Sequence, residues 1–307
     1  MELLERGALA AMGTRFEIIV AGESVSLARA AIESAFAEIE NCHRLWNPFS
    51  ADSLVSQLHE ATEHEIPIDG LTHELLSLCQ RLESDTKRAF SATTGAFLAS
   101  RDPRRSVSQD GSEGHQGYFE LLENPPRVRI SDSRLRWDFG AIAKGFALDL
   151  AVEVMREDGI QNAFLHGGSS SVAAIGAAPG LSGWRVQLPQ GGILELKDGE
   201  SLAVSSGHGN YQGDHLVDPL SGDWIENLSF GCWVRGTSTA EADAWATALL
   251  VLKQRADFSA GLGTEGEDWG FFEIDNEMQV GNDEVDGDSV ALQCLSPSAS
   301  GDESAVI

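Results

Sequence analysis

The segment Trp137-Asp-Phe-Gly-Ala-Ile-Ala-Lys-Gly-Phe-Ala-Leu-Asp149 constrains this chain more than any other. It places two carboxylates, a lysine and two glycines among otherwise apolar residues. Val128–Ile130 and Leu135–Trp137 before it read as short strands. Beyond Gly140, Ile142, Phe146, Leu150, Val154 and Met155 recur at helical spacing, which predicts a helix over Ala141–Arg156 entered from a strand through Gly140. A strand, a glycine and a helix N-terminus together make an anion site, because free N–H groups point outward and the helix dipole favours negative charge. Lys144 on the first turn adds a full positive charge. An ordinary strand-to-helix turn with a solvated lysine fits the same spacing. The segment is not a P-loop: the lysine precedes its glycine, and no Ser or Thr follows it.

With 307 residues, 42% hydrophobic and 22% charged, the chain is long enough for one large domain. Residues 1–284 are assigned to it, and 285–307 read as an acidic, flexible tail. The net charge of -27 argues against binding nucleic acid or an anionic membrane through bulk electrostatics, so a phosphate-bearing ligand needs a local cation. Cys42, Cys79, Cys232 and Cys294 are scattered without metal-ligand spacing, which points to buried thiols in a reducing compartment. Neither a signal peptide, a lipobox nor a membrane-length apolar run is visible, so the sequence predicts a cytoplasmic protein with no membrane insertion.

Along the chain, residues 11–20 alternate Phe16, Ile18 and Val20 as a strand after a Gly-Thr corner, and Ser24 or Ser26 caps a helix ending near Trp46. His43 and Trp46 read as packing residues. A second helix runs from a Thr72 cap to Lys87. Residues 90–97 are small and hydroxyl-rich, suiting a tight turn or a pocket-lining loop. Residues 163–176 read as strand, Gly/Ser turn and strand, and further strands follow at 183–188, 192–196, 202–208 and 230–235. Thr239–Lys253 is a helix capped by Ser238 or Thr239, with Asp243 and Thr247 on one face. By spacing alone those two are a dipole-favouring Asp and a back-bonded Thr.

Taken in order, Met12-Gly-Thr14, Asp138-Phe-Gly-Ala-Ile-Ala-Lys-Gly145, Gly167-Gly168, Ser205-Ser-Gly207, His215-Leu-Val-Asp-Pro219 and Ala242-Asp-Ala-Trp-Ala-Thr247 resemble the ApbE-type FAD:protein FMN transferases, over about Met12 to Leu252. Each motif is short, but six in the same order are specific. The resemblance implies an α+β fold: a single, T-fold-like domain of mixed, largely antiparallel sheet with packed helices. It implies transfer of FMN from FAD to a Ser or Thr hydroxyl of an acceptor flavoprotein, with release of AMP. Mg²⁺ would be held by the Ala141 carbonyl, Asp243 and Thr247, a set of oxygen donors suited to a hard cation. Lys144 would bear on the phosphates, and Met12, Asp138, Gly167, Gly168, Ser206, Gly207 and Asp218 would contact FAD. An imidazole titrating near neutral pH suits His215 as base for the attacking hydroxyl. The chain departs from the family pattern at Ser169 and Ser91, both often Asp there, and its Gly207–His215 interval is short. An FAD pyrophosphatase and a non-catalytic flavin-binding homologue are the alternative expectations.

Overall fold

Period-2 alternation in the strands decides how the layers stack. In a computed structural model that describes residues 3–60, 65–101, 118–131, 135–206, 216–226, 228–255, 268–274 and 293–294, the elements run as follows. The first part comprises β1 (Leu4–Ala11), β2 (Thr14–Ala21), α1 (Val25–Trp46), α2 (Leu54–Glu60), β3 (Glu65–Pro67), α3 (Gly70–Asp85), α4 (Gly95–Arg101), β4 (Phe119–Leu122), β5 (Arg127–Ile130) and α5 (Ala143–Glu157). The second comprises β6 (Ala163–Gly167), β7 (Ser171–Ile175), β8 (Trp184–Gln187), β9 (Ile193–Leu196), β10 (Ser201–Ser206), β11 (Leu216–Val217), β12 (Trp224–Ile225), β13 (Phe230–Gly236), α6 (Thr239–Gln254), β14 (Trp269–Glu273) and β15 (Gln293–Cys294).

Seven strands form the central sheet in the order β1-β2-β6-β7-β10-β13-β14, each described pair antiparallel. One face carries Phe16, Ile18, Val20, Leu165, Ala173, Ala203, Cys232 and Val234, packed in a common core with α1, α5 and α6. The intervening residues Ile19, Phe164, Val172, Leu202, Val204 and Trp233 point the other way and pack on Trp184, Val186 and Leu196 of the small sheet β15-β8-β9. The fold is therefore α+β, with helices on one face of an antiparallel sheet and a three-stranded sheet on the other. Side chains such as Phe16 and Ile18, both 0% exposed, contribute about 1.5–3 kcal/mol each by leaving water. A third sheet, β3-β5-β4, sits near α3, and Phe119 of β4 meets Trp137 edge to face at 4.7 Å.

Several local expectations are revised. Leu135–Trp137 is not a strand. The Trp137 N–H donates to His59 Nε2 at 2.8 Å instead of joining a ladder. α3 begins at Gly70, and its cap is Asp69, whose carboxylate accepts the Thr72 N–H at 2.8 Å; Thr72 lies inside the helix. The strand before β2 is separate, with Met12 and Gly13 as the two hairpin residues, at φ 50° and 72°. Of the 285–307 segment, Gln293 and Cys294 are described, paired with β8. No helix among the described residues is long and apolar enough to cross a membrane.

Candidate active site

The sheet order brings two turns of distant sequence side by side. Met12 adopts a left-handed conformation that costs a non-glycine residue about 1–3 kcal/mol, and its N–H is held by His43 Nδ1 at 3.2 Å. The β6–β7 turn faces it. The Gly168 N–H donates to Arg15 O at 3.0 Å, and a Cβ on Gly168 would stand 2.2 Å from Thr14 Oγ1. With φ at 66° as well, that position accepts glycine for two independent reasons. Gly167 ends β6 against Phe16 and Leu148. The Met-Gly-Thr and Gly-Gly motifs are thus one surface.

Below them lie the first turns of α5 and α6, which cap one another. Asp243, 5% exposed, accepts the Ser171 hydroxyl at 2.6 Å on Oδ1 and the Gly145 N–H of α5 at 2.8 Å on Oδ2. In return Asp149 of α5 accepts the α6 N–H groups of Thr239 at 2.7 Å and Ala240 at 3.0 Å, and the Ser238 hydroxyl at 2.8 Å. These first-turn N–H groups have no partner within their own helix. The helices approach so closely that a Cβ on Gly145 would lie 2.3 Å from Thr239 O. Burial pushes the Asp243 carboxyl above the usual carboxylate range, against the pull of Lys144, the Ser171 hydroxyl and the Gly145 N–H. Burial likewise raises Asp149, against the N–H and hydroxyl donors around it.

The remaining expected residues divide. Asp138 turns the chain into α5 by accepting the Gly140 N–H at 2.9 Å, while Lys144 Nζ reaches Gly140 O at 3.3 Å. Ala141 lies in that turn, and Thr247, one turn after Asp243 on α6, has its hydroxyl 3.5 Å from Ser205 Oγ of β10. Ser206 ends β10, paired with Gly231. Asp218 lies apart from this cluster. Its carboxylate forms a two-pronged pair with Arg255, at 2.6 and 2.9 Å, beyond the opposite end of α6. Burial works to raise the Asp218 carboxyl, but Arg255 and the Leu220 N–H outweigh it and hold it below its ordinary range. His215 and Gly207 lie outside the described residues. Ser91, at one of the departures, is buried with its hydroxyl 3.0 Å from that of Thr93.

Ser171, Ser205, Asp149 and Arg255 were not among the expected site residues. Asp149 carried a signal, as a carboxylate on an apolar helix, whereas the serines and Arg255 gain their meaning through pairing across the fold. The donors expected for a cation are all oxygen: the Asp243 carboxylate, the Thr247 hydroxyl and the Ala141 carbonyl. The described donors use one lone pair on each Asp243 oxygen and leave a second. Oxygen donors grouped with a buried carboxylate are the type a hard divalent cation takes, so by donor chemistry these residues fit Mg²⁺. Among the described residues no cluster of three or more His, Cys, Asp or Glu has metal-binding proximity.

Comparison with known proteins gives a match to the ApbE family over residues 12–260. The FAD:protein FMN transferase of Rhodobacter capsulatus is 26% identical over 264 residues, which is 78% of this chain and 50% of that protein. The chain thus spans about half the length of that relative. The FAD:protein FMN transferase of Klebsiella pneumoniae (strain 342) is 22% identical over 273 residues, 78% of this chain and 76% of the relative. The apo crystal structure of the Pseudomonas stutzeri flavinyl transferase ApbE superposes with a TM-score of 0.70 at 24% identity, covering 82% of this chain and 86% of that one, a likeness of fold.

Proposed function

The chain belongs to the ApbE family, and from that premise we propose that it transfers the FMN moiety of FAD to a Ser or Thr hydroxyl of an acceptor flavoprotein, releasing AMP. The observation that carries the reading is the buried Asp243 carboxylate, held between Ser171 and the first turn of α5 with Lys144 beside it. Besides holding α6 to the first turn of α5, a carboxylate anchored there would be available to a cation that neutralises a pyrophosphate. Asp243, Thr247 and the Ala141 carbonyl would hold Mg²⁺, which when bound supplies positive charge to the pyrophosphate. Lys144 would add a second charge there. At Gly167 and Gly168 the place of a Cβ is taken by Leu148, Phe16 and Thr14, so the two turns pack on each other, and on the resemblance their backbone would contact FAD.

In the reaction the acceptor oxygen forms a bond to the FMN phosphorus as the bridging P–O bond breaks. AMP leaves with that bond's electron pair, and the hydroxyl proton passes to a base. His215 takes that role on the resemblance. Delivery of the same phosphoryl group to water would make the protein a pyrophosphatase. Incubation with FAD, Mg²⁺ and an acceptor flavoprotein domain separates the readings. Covalent fluorescent flavin on the acceptor supports transfer, free FMN with AMP shows hydrolysis, and intact FAD refutes both. Asp243→Asn is expected to abolish whichever activity Mg²⁺ supports.

A further inference from the structure

Resting on the metal-dependent reading above, we propose that Asp149 is a positioning residue for this reaction: it fixes where Asp243 and Thr247 stand by locking α6 onto α5. Asp149 belongs to the segment that dominates the sequence, yet none of the roles carried by the family resemblance falls to it. Its carboxylate takes three donors, the N–H groups of Thr239 and Ala240 and the hydroxyl of Ser238, all at the first turn of α6. Ordinary capping of that helix already exists, because Ser238 accepts the Glu241 N–H at 3.2 Å. Holding a charged group in a partly buried position merely to repeat a cap is costly, and Asp149 is raised by that burial. The geometry gives it another use.

Asp243 lies four residues after Thr239, so the Asp149 anchor is about 6 Å from it along the helix axis, and Thr247 is one turn further on the same face. On α5 the relation is mirrored: Asp149 lies four residues after Gly145, whose N–H holds Asp243. Two anchors spaced one turn apart on both helices prevent α6 from pivoting about its close contact at Gly145. Without Asp149 one carboxylate-to-backbone anchor remains, the one on Asp243 itself. A ligand residue would then have to orient its own helix.

The test is Asp149→Asn, which keeps the size of the side chain and one acceptor oxygen but turns an NH₂ toward donors. Fold is checked by near-UV circular dichroism. Mg²⁺ binding is measured by calorimetric titration without FAD, and FMN transfer as a function of Mg²⁺. A folded variant is expected to bind Mg²⁺ about 10–100-fold more weakly, as when a group that orients a metal ligand is lost, with transfer restored at saturating Mg²⁺. A variant that melts earlier but binds Mg²⁺ as wild type does makes Asp149 a helix cap and overturns the proposal. Should Asp149→Asn not fold, Ser238→Ala removes one of the three donors and leaves Asp149 with both backbone bonds. Weaker Mg²⁺ binding is expected there too, and unchanged binding overturns the proposal. Wild-type protein that takes no Mg²⁺ in the same titration refutes the metal reading and this inference with it. Wild-type binding with unchanged variants refutes this inference alone.

Discussion

Replacing Gly145 by alanine sets two effects of opposite sign against each other. At an exposed helix position the change is favourable by up to about 1 kcal/mol, because glycine is the poorer helix former. Here the new methyl would lie 2.3 Å from Thr239 O, well inside contact distance and against backbone that has no rotamer to change. Relief requires α5 and α6 to separate by about 1 Å, a kind of overpacking that costs about 1–3 kcal/mol. The same separation stretches the 2.8 Å bond from the Gly145 N–H to Asp243, and a hydrogen bond to a charged group is worth about 1.5–3 kcal/mol. Adding the two costs and subtracting the helix gain leaves a net loss of about 1.5–5 kcal/mol. Urea unfolding followed by circular dichroism reads the difference directly. A variant as stable as wild type would show that the helices do not cross at Gly145 as described. FMN transfer should fall about 100-fold in the folded variant, since an ångström of displacement at a reacting centre has that effect.

Three further outcomes are expected. Arg255→Ala strands the Asp218 carboxylate and frees the carbonyls of Lys87 and Arg88 that Arg255 also holds, which should cost about 3 kcal/mol in a urea titration at pH 7. Because Asp218 titrates below its unfolded value, the pair's contribution is present above the unfolded pKa and lost as pH falls through the folded one, so wild type and variant should converge in stability at strongly acid pH. Raising KCl from 0.1 to 1 M shortens the screening length from about 10 to about 3 Å, and with a net charge of -27 the melting temperature should rise; a fall would refute self-repulsion as a destabilising force here. His215→Asn should slow transfer about 10²–10⁴-fold with FAD affinity unchanged, and near-normal transfer would leave His215 without the base role.

The sequence conveyed the layers better than the site. The Ser24 cap marked the start of α1, and alternation of Phe16, Ile18 and Val20 marked β2, because a buried face leaves a period that can be read locally. β1 left none. It is an edge strand whose Gly7 sits under Ile32 and Phe36, so its cover comes from α1, and its two leucines, Leu4 and Leu9, fall on opposite faces. The motifs named Asp243, Thr247 and Lys144 as one set; of these Asp243 holds the Gly145 N–H of α5, and the motifs did not give the reason for that placement. Ser171 is unremarkable in sequence and Ser205 marked only by its motif, and both matter because the strand order sets them beside α6. Asp218 was legible only as part of a motif, and its pairing with Arg255, 37 residues away, needed the fold to be seen.

The mutual capping of α5 and α6 also bears on how the protein comes into being. Asp149 and Thr239 are separated by 90 residues, and the strands β6, β7, β10 and β13 lie between them. A chain emerging from the ribosome therefore exposes the first helix long before the second exists, and the N–H that will hold Asp243 waits on solvent. At about 5–20 residues per second that interval lasts several seconds. Contacts of such separation form late and slowly, after the loop they close has lost its freedom. The α5–α6 junction that holds Asp243 should consequently form in a single late step of maturation, and the proposed activity with it.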